Sequence, residues 1–317
     1  MRRAFLIGLV LVTAASSVGC RKLFRRRHAP PPAYTYTPYA TYTATVPTVG
    51  ATGTTTTATA TATAAPTYDP SKSASFASHT SACDEGRGSA RECNLVGIDY
   101  EEGYGTPIDY LSAGKYYRLG CDGKIPDACA NLGALYDDGK GYSEDKVKAD
   151  GIYLKACNDG SARGCNHLGL HYLYAQGGHA IDNVKAADFF QKGCDKRDAY
   201  SCTNLGYMYW RGLGVKKDLP KMVGLYTQGC SGGDPSGCHN LGVQYEKGEG
   251  VIQSYATAAT YYEQGCNKNK AAACYNLGRL YEYGSGVGRD MTRAKTLYRK
   301  GCDGKDRDAC AAAARLP

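Results

Sequence analysis

The feature that most constrains this chain is a set of cysteine pairs that recurs at a nearly constant interval. Six pairs have the spacing C-x7-C and follow one another every 36 or 37 residues: Cys121/Cys129, Cys157/Cys165, Cys194/Cys202, Cys230/Cys238, Cys266/Cys274 and Cys302/Cys310. A further pair, Cys83/Cys93, has the looser spacing C-x9-C. A fixed period of this length is typical of a solenoid, whose units are too small to fold alone and stack on their neighbours.

The residues after the second cysteine of each pair follow a helical period. Offsets of three, four and seven residues hold an aliphatic residue, a glycine and a tyrosine, as in Leu132, Gly133 and Tyr136. Together with the cysteine, these positions form one face of an α-helix, here termed helix A. Glycine costs a helix about 1 kcal/mol, so its recurrence predicts that a neighbouring helix packs closely against it.

A turn and a second helix, helix B, follow each helix A. The turn is glycine-rich in most units, whereas in the third unit Ala175–Ala180 adds one residue and replaces it. Helix B begins after a side chain suited to cap its N-terminus, at Asp109, Asp145, Asp182, Asp218, Ser254 and Asp290. Counted from each cap, an aromatic residue lies eight positions later and the next cysteine lies twelve positions later. The pattern predicts an all-α chain of paired helices.

The pattern L-G-x-x-Y-x-x-G-x-G-V-x-x-D-x-x-K-A resembles the Sel1-like repeat, a relative of the tetratricopeptide repeat. Lys148-Ala149 and Lys185-Ala186 fill its last step, whereas Lys221-Met222 departs from it. With the added C-x7-C, the chain resembles the cysteine-rich secreted Sel1-like proteins over residues 83–317. The resemblance implies a right-handed αα-solenoid. Its units are expected at about 83–120, 121–156, 157–193, 194–229, 230–265 and 266–301, with a cap at 302–317.

Two disulfide connectivities are compatible with the cysteine pattern. One joins the two members of each pair, and the other joins helices of one unit, such as Cys129 to Cys157. The spacing within the later pairs is constant while the period varies, which favours the first connectivity. Each bridge would close a small loop and contribute about 2–3 kcal/mol in the chain-entropy model. So many paired cysteines also favour export to an oxidising compartment.

The N-terminus has the pattern of an export signal at residues 1–19, with two arginines and then the apolar stretch Ala4–Val12. Cys20 follows a glycine, as in the bacterial lipoprotein signal, in which this cysteine is lipidated. Ser17 departs from that signal, because an aliphatic residue is usual there. The alternative is an ordinary signal peptide with a free thiol. The basic segment at 20–28 would reinforce a lipid anchor on anionic headgroups or remain solvated.

The positive charge of the chain is concentrated at its N-terminus. The net charge is +8, but residues 1–28 contain seven Arg and Lys, and the remainder has 31 basic and 30 acidic residues. Such a balance lacks the electrostatic signature of nucleic-acid binding. Residues 29–68 contain no charged side chain and cannot form a core. We therefore expect a disordered tether over 29–82 that holds the repeats away from a membrane.

The concave face of a solenoid, lined by A helices, is the expected binding surface. Two residues after the second cysteine, five units hold an amide or imidazole: Asn131, His167, Asn204, Asn240 and Asn276. An amide both donates and accepts, which suits an extended peptide. The alternative is that these side chains hydrogen-bond within or between repeats. Positions that vary between units are the further candidates for specificity: Asn166, Tyr207, His239, Tyr275 and Arg279.

Three functions are compatible with the sequence. The first is an envelope-anchored scaffold that binds a protein or peptide, and the second is a structural protein that binds peptidoglycan fragments. The third, β-lactam binding or hydrolysis, is implied only by the resemblance. Its sole sequence support is S-x-x-K at Ser143 and Lys146, without the S-D-N and K-T-G motifs of serine β-lactamases. Six scattered histidines and the cysteine spacing do not fit a metal site, and no cofactor is expected.

Overall fold

The computed structural model describes residues 72–84 and 90–316, and within them it contains fourteen α-helices and no strand. The helices are α1 Ser73–Asp84, α2 Ala90–Glu102, α3 Tyr110–Asp122, α4 Pro126–Asp138, α5 Lys146–Asp159, α6 Ala162–Tyr174, α7 Asn183–Asp195, α8 Ala199–Arg211, α9 Leu219–Ser231, α10 Pro235–Lys247, α11 Tyr255–Asn267, α12 Ala271–Tyr283, α13 Met291–Asp303 and α14 Arg307–Arg315. The expected signal peptide, the lipidation site Cys20, the basic segment and the tether as far as residue 71 lie outside the described residues.

Even-numbered and odd-numbered helices play the two alternating roles that the sequence predicts. The even-numbered helices α2 to α14 are A helices, and each of α2 to α12 packs on the B helix that follows it, as α4 packs on α5. Each A helix also contacts the preceding B helix and the neighbouring A helix. The result is the disulfide-stapled αα-solenoid that was expected, in which every unit is covered by the next.

The core of each unit is one aromatic side chain of helix B packed against the glycine of helix A. The six aromatic side chains are fully buried: Tyr117, Tyr153, Phe190, Tyr226, Tyr262 and Tyr298. At Gly133, a Cβ atom would lie only 2.7 Å from the ring of Tyr153. Glycine therefore recurs in helix A because the ring of helix B occupies the space that a side chain would need.

Capping side chains and left-handed glycines fix where the helices begin and end. Asp145 accepts a hydrogen bond from the backbone N–H of Lys148 at 2.9 Å, and every predicted cap of helix B accepts such bonds. Gly139 ends α4 at φ 67°, a conformation that glycine adopts without steric penalty. In the third unit Ala175 takes this position at φ 55°, so the irregular turn predicted there is present.

The seven disulfides join the two cysteines of each pair, as the constant spacing within the pairs favours. They connect Cys83–Cys93, Cys121–Cys129, Cys157–Cys165, Cys194–Cys202, Cys230–Cys238, Cys266–Cys274 and Cys302–Cys310. Each bridge ties the end of one B helix to the start of the next A helix, so it staples adjacent repeats. Disulfides in this number are typical of a protein that folds outside the cytoplasm.

The expected boundary between tether and repeats at residue 82 is wrong, because α1 begins at Ser73. Three contacts hold α1 on α2. They are the Cys83–Cys93 bridge, the ring of Phe76, which meets the ring of Tyr100 edge-on with centroids 5.1 Å apart, and His79 Nδ1, which lies 2.9 Å from Asp99 Oδ2. The sequence did not reveal this helix because it precedes the first repeat motif. In the described part of the chain, no helix has the length and hydropathy needed to cross a bilayer.

Replacing both cysteines of an interior bridge should destabilise the solenoid. We expect Cys194→Ser/Cys202→Ser to lower the free energy of unfolding by about 2–3 kcal/mol, since the unfolded chain regains the entropy of a short loop. Chemical denaturation with and without a reductant measures the difference. Cys20→Ser is the control and should unfold as the parent does. Equal midpoints for the oxidised parent and the double variant would show that the bridge contributes no stability.

Candidate functional site

The predicted binding residues all lie on A helices, but most of them are committed to contacts between repeats. Asn131, Asn166, His167, Asn204 and His239 are between 4% and 7% exposed, whereas Asn240, Tyr207, Tyr275, Asn276 and Arg279 are half-buried. Of the two roles that the sequence left open for the amides, the hydrogen bonds below realise the one between repeats.

The amide of one repeat bonds to the residue one position after the cysteine of the preceding repeat. Asn131 Nδ2 donates to Asn94 Oδ1 at 3.0 Å, and Asn204 Nδ2 donates to Asn166 Oδ1 at 2.9 Å. The oxygen of Asn131 is taken as well, since Arg163 Nη1 donates to it at 2.6 Å. These amides therefore fix the stacking of the A helices and have few free groups to offer a ligand.

His239 takes the same role with an imidazole. Burial lowers the pKa of His239 to about 4, so the ring is neutral near pH 7. Its Nδ1 lies 3.3 Å from Asn240 Oδ1 and its Nε2 lies 3.1 Å from Asn276 Nδ2. A proton on Nδ1 satisfies both contacts, with Nε2 accepting from the Asn276 amide. The two nitrogens of His239 are thus used within the array.

His167 departs from the amide pattern because the preceding repeat has Ala130 at the partner position. Its ring instead stacks on the ring of Tyr153, with centroids 4.5 Å apart and planes 6° apart. Burial lowers the pKa of His167 to about 3, so it carries no charge at physiological pH. His167 is consequently a packed aromatic side chain and not a charged ligand.

A second row of hydrogen bonds, besides that of the amides, joins the buried tyrosine of helix B to an acidic residue eight positions after the cysteine of helix A. Four units contain this hydrogen bond: Tyr117 to Glu101 at 2.6 Å, Tyr153 to Asp137 at 3.3 Å, Tyr262 to Glu246 at 2.7 Å and Tyr298 to Glu282 at 2.6 Å. A buried hydroxyl needs an acceptor, so the acid completes the core of its own unit. We term this row the acid–tyrosine ladder.

A cationic side chain, contributed in each of the four units by the following repeat, pairs with the acid of the ladder. The ion pairs are Lys140–Glu101 at 4.0 Å, His171–Asp137 at 3.0 Å, Arg279–Glu246 at 3.0 Å and Arg315–Glu282 at 2.8 Å. Arg279, expected to bind a ligand, therefore has a partner within the array. Tyr275, also expected there, packs with its ring centroid 5.7 Å from that of Tyr298.

The ladder is most elaborate where the irregular turn of the third unit meets the second unit. His171 Nε2 lies 3.0 Å from Asp137, and its Nδ1 lies 2.5 Å from Asp150. The other oxygen of Asp150 lies 2.7 Å from Nε2 of His179 in the irregular turn. Burial opposes a charged ring, but the hydrogen bonds to the two carboxylates outweigh it and raise the pKa of His171 to about 9.

The acid–tyrosine ladder is interrupted in the two middle units. Leu173 and Trp210 replace the acid, and the tyrosine of helix B that would need Leu173 as a partner is Phe190, which has no hydroxyl. In the regular units, a cationic side chain of the following repeat pairs with the acid. Between the third and fourth units, Tyr174 and Tyr207 lie close together instead. Burial raises the pKa of Tyr174 to about 12, and the neighbouring Tyr207 adds to the rise. Charged pairs have thus been exchanged for aromatic rings.

These rings form a half-buried group, the aromatic interruption, consisting of Tyr174, Tyr207 and Trp210. The rings of Tyr207 and Trp210 are 5.9 Å apart. Trp210 Nε1 donates to Glu249 of the next turn at 3.1 Å, and the Arg211 guanidinium lies 5.5 Å from the indole. The Tyr174 hydroxyl is buried and has no hydrogen-bond partner among the described residues.

The S-x-x-K pair does not have the geometry of an activated serine. Ser143 is exposed in the turn before α5, and Lys146 Nζ lies 3.0 Å from Asp137 and 3.4 Å from Glu144. Burial favours the neutral amine, but Asp137 and Glu144 outweigh it and raise the pKa of Lys146. A lysine that activates serine needs a lowered pKa. Within residues 72–84 and 90–316, no group of three or more His, Cys, Asp or Glu is arranged to hold a metal ion.

The sequence contained a signal for the aromatic interruption that composition and period alone did not expose. The residue eight positions after the cysteine is acidic in four units and apolar in the other two. Its importance follows only from the buried tyrosine hydroxyl sixteen residues further on, which the fold brings to within hydrogen-bonding distance of the acid. Of the predicted site residues, Tyr207 alone belongs to the interruption.

Comparison with known protein families finds the Sel1 repeat six times in succession, at residues 93–124, 126–161, 162–198, 199–234, 235–270 and 271–306. These matches cover well over half of the chain. Comparison with curated protein sequences finds no match.

Several solved structures are similar to this chain. A protective antigen present in uropathogenic Escherichia coli strains, which displays an SLR fold, is 28% identical with a TM-score of 0.60 over 75% of this chain. The chain spans only 50% of that antigen. A Sel1 repeat protein from Oxalobacter formigenes is 23% identical over 67% of this chain and 84% of its own, with a TM-score of 0.60. Helicobacter pylori cysteine rich protein B is 27% identical over 41% of this chain and 94% of its own, with a TM-score of 0.35.

The stability that His171 contributes should depend on pH. A histidine whose folded pKa of about 9 exceeds its unfolded value near 6.5 stabilises fully below pH 6.5 and loses this effect as the pH rises through 9. The melting temperature of the parent should therefore exceed that of His171→Gln by a margin that shrinks between pH 7 and pH 10.

His167→Gln is the matched control for this experiment, because His167 has a pKa of about 3 and stays neutral over the same range. Its margin should remain constant from pH 7 to pH 10. A constant margin for His171→Gln as well would show that the ring is not protonated between the two carboxylates.

Proposed function

Since this chain belongs to the Sel1 repeat family, we propose that it is a scaffold outside the cytoplasm that binds an extended segment of a partner protein. The proposed binding surface is the face of the A helices, centred on the aromatic interruption of the third and fourth repeats. Proteins built from stacked helix pairs use such extended surfaces for binding. Sel1 and tetratricopeptide-like repeat proteins generally bind other proteins.

The interruption of the acid–tyrosine ladder is the observation that carries this proposal. Four repeats obey a structural rule that satisfies a buried hydroxyl, and the two that break it are adjacent. Places where a chain departs from its own structural rule are expected at functional sites. The Tyr174 hydroxyl remains buried and without a hydrogen-bond partner among the described residues, which is a cost in stability that the regular repeats avoid.

The chemistry of the aromatic interruption suits a peptide backbone with an apolar or aromatic side chain. Tyr, Trp and Arg dominate the energetics of protein interfaces, because they bury a large area and keep a polar group for orientation. Tyr207 and Trp210 offer the ring surface on which such a side chain can pack. The buried amides of the A helices, such as Asn131 and Asn204, hold the repeats in register. They therefore shape the proposed surface but are not expected to be the main contacts with the partner.

Removing one ring should weaken partner binding without unfolding the array. A photoreactive amino acid in place of Tyr207 should cross-link one partner in cells that express the full chain, and that partner then serves as the probe. We expect Tyr207→Ala to raise its Kd by about tenfold or more, the usual effect of an interface hot spot, as measured by the fluorescence of Trp210, the only tryptophan.

Tyr255→Ala is the matched control, since Tyr255 is an exposed tyrosine, 40% accessible, at the start of the B helix α11 and not on an A helix. It should change Kd less than twofold, and a photoreactive group there should give no adduct. Equal losses for both variants, or no adduct from position 207, would contradict the proposed surface.

We also propose that Cys20 anchors the scaffold to a membrane through a lipid. The support is the sequence alone: an apolar stretch with small residues precedes Cys20, and a basic segment and then the uncharged stretch 29–68 follow it. A chain anchored in this way should partition into detergent-soluble membranes, and Cys20→Ser should release it into the soluble fraction. Ser17→Ala is the control and should remain anchored. Membrane fractions that retain the Cys20→Ser chain would exclude lipid attachment at this cysteine.

A further inference from the structure

A long side chain lies over at least three of the interior disulfides, and its charge differs between repeats. It comes from the residue two positions before the first cysteine of the following pair. Lys155 Nζ lies 3.6 Å from Cys121 Sγ and 3.4 Å from Cys129 Sγ. Gln228 Oε1 lies 3.6 and 3.7 Å from the sulfurs of Cys194–Cys202, and Gln264 Oε1 lies 3.4 and 3.9 Å from those of Cys230–Cys238.

These three bridges are matched in position, loop length and exposure. Each joins the end of a B helix to the next A helix and closes a loop of the same length, with a sequence separation of 8. Their exposures are also nearly equal: Cys121 6% and Cys129 0%, Cys194 6% and Cys202 2%, Cys230 5% and Cys238 0%. The chain therefore contains its own controls, in which an ammonium over one bridge replaces an amide over the other two.

We propose that the Cys121–Cys129 bridge is a site of thiol–disulfide exchange, activated by the Lys155 ammonium. A nearby lysine stabilises a thiolate, and a thiol that leaves as a better-stabilised thiolate leaves faster. The ammonium is 3.4 Å from Cys129 Sγ, the sulfur that departs when the more exposed Cys121 is attacked. Asp159 shares this charge at 3.2 Å, but an amide, as at Gln228, provides no net charge at all.

The substrate class is a thiol, either a small thiol or a dithiol protein. Its thiolate attacks Cys121 Sγ, so that a mixed disulfide forms, the Cys121–Cys129 bond breaks and Cys129 departs as a thiolate beside Lys155. A second thiolate of the reductant then attacks the reductant-derived sulfur of the mixed disulfide, and Cys121 leaves as a thiolate. The two thiols are oxidised to a disulfide, the bridge gains two electrons, and the protons lost by the thiols are taken up by the two cysteines. The exchange opens the joint between α3 and α4, while the other bridges stay closed.

The test measures how fast each bridge opens in the oxidised full chain. Dithiothreitol is the probe, N-ethylmaleimide traps free cysteines at timed intervals, and peptide mapping assigns the label. We expect Cys121 and Cys129 to be labelled about fivefold faster than the cysteines of the two glutamine-covered bridges. High salt should reduce this difference in labelling rate, because at 1 M ionic strength the Debye length is about 3 Å and the attraction between the ammonium and the thiolate is screened.

Reciprocal substitutions separate the effect of the ammonium from the position of the bridge. Lys155→Gln should slow Cys121–Cys129 to the rate of the other two bridges, and Gln228→Lys should bring Cys194–Cys202 to the faster rate. The melting temperature of the oxidised variants monitors folding. Equal rates for the three bridges in the parent, or a fast Cys121–Cys129 bridge in Lys155→Gln, would overturn the proposal. This outcome is independent of whether position 207 binds a partner.

Discussion

A tyrosine hydroxyl buried under a neighbouring helix needs an acceptor, and much of this array follows from how that need is met. The glycine of helix A admits the ring of helix B, so that Tyr153 packs against Gly133 with no room for a Cβ atom. The ring carries its hydroxyl to an acid at the end of the same helix A. The buried acid in turn requires a cation, which comes from the next repeat in the case of His171. One buried group thereby links the packing within a unit to the register between units.

The same reasoning explains why the middle of the array differs from its ends. Where the acid is absent, its cationic partner would be a buried and unpaired charge, so Tyr207 stands where Arg279 stands two repeats later. The exchange of an ion pair for aromatic rings preserves the stacking but leaves half-buried ring surface and a buried Tyr174 hydroxyl without a hydrogen-bond partner among the described residues. The acid–tyrosine ladder thus stabilises the solenoid, and its interruption in the two middle units provides the proposed binding surface.

The disulfides act on a different term of the free energy. Each closes a short loop between repeats, which reduces the entropy of the unfolded chain and does not depend on the polarity of the core. Short two-helix units gain from this because neither helix buries enough area alone. The side chains that lie over the bridges can differ in charge, because either a lysine or a glutamine is long enough to reach the sulfurs. Lys155 and Gln228 satisfy that demand equally, and their difference in charge is where chemistry enters.

The sequence by itself determined the helices, their caps, the glycine contact and the most favoured disulfide pairing, because each of these repeats at a fixed offset within one unit. It also located Tyr207 among the variable positions. Only the tertiary structure decided the role of the amides, since Asn131 meets Asn94 across two stacked helices at 3.0 Å and no local pattern records that contact. The ion pair of His171, the approach of Lys155 to a disulfide and the interruption at Trp210 likewise join residues of different helices, mostly of different repeats. A period predicts what every repeat shares, whereas contacts between unlike residues of neighbouring repeats exist only once the chain is stacked.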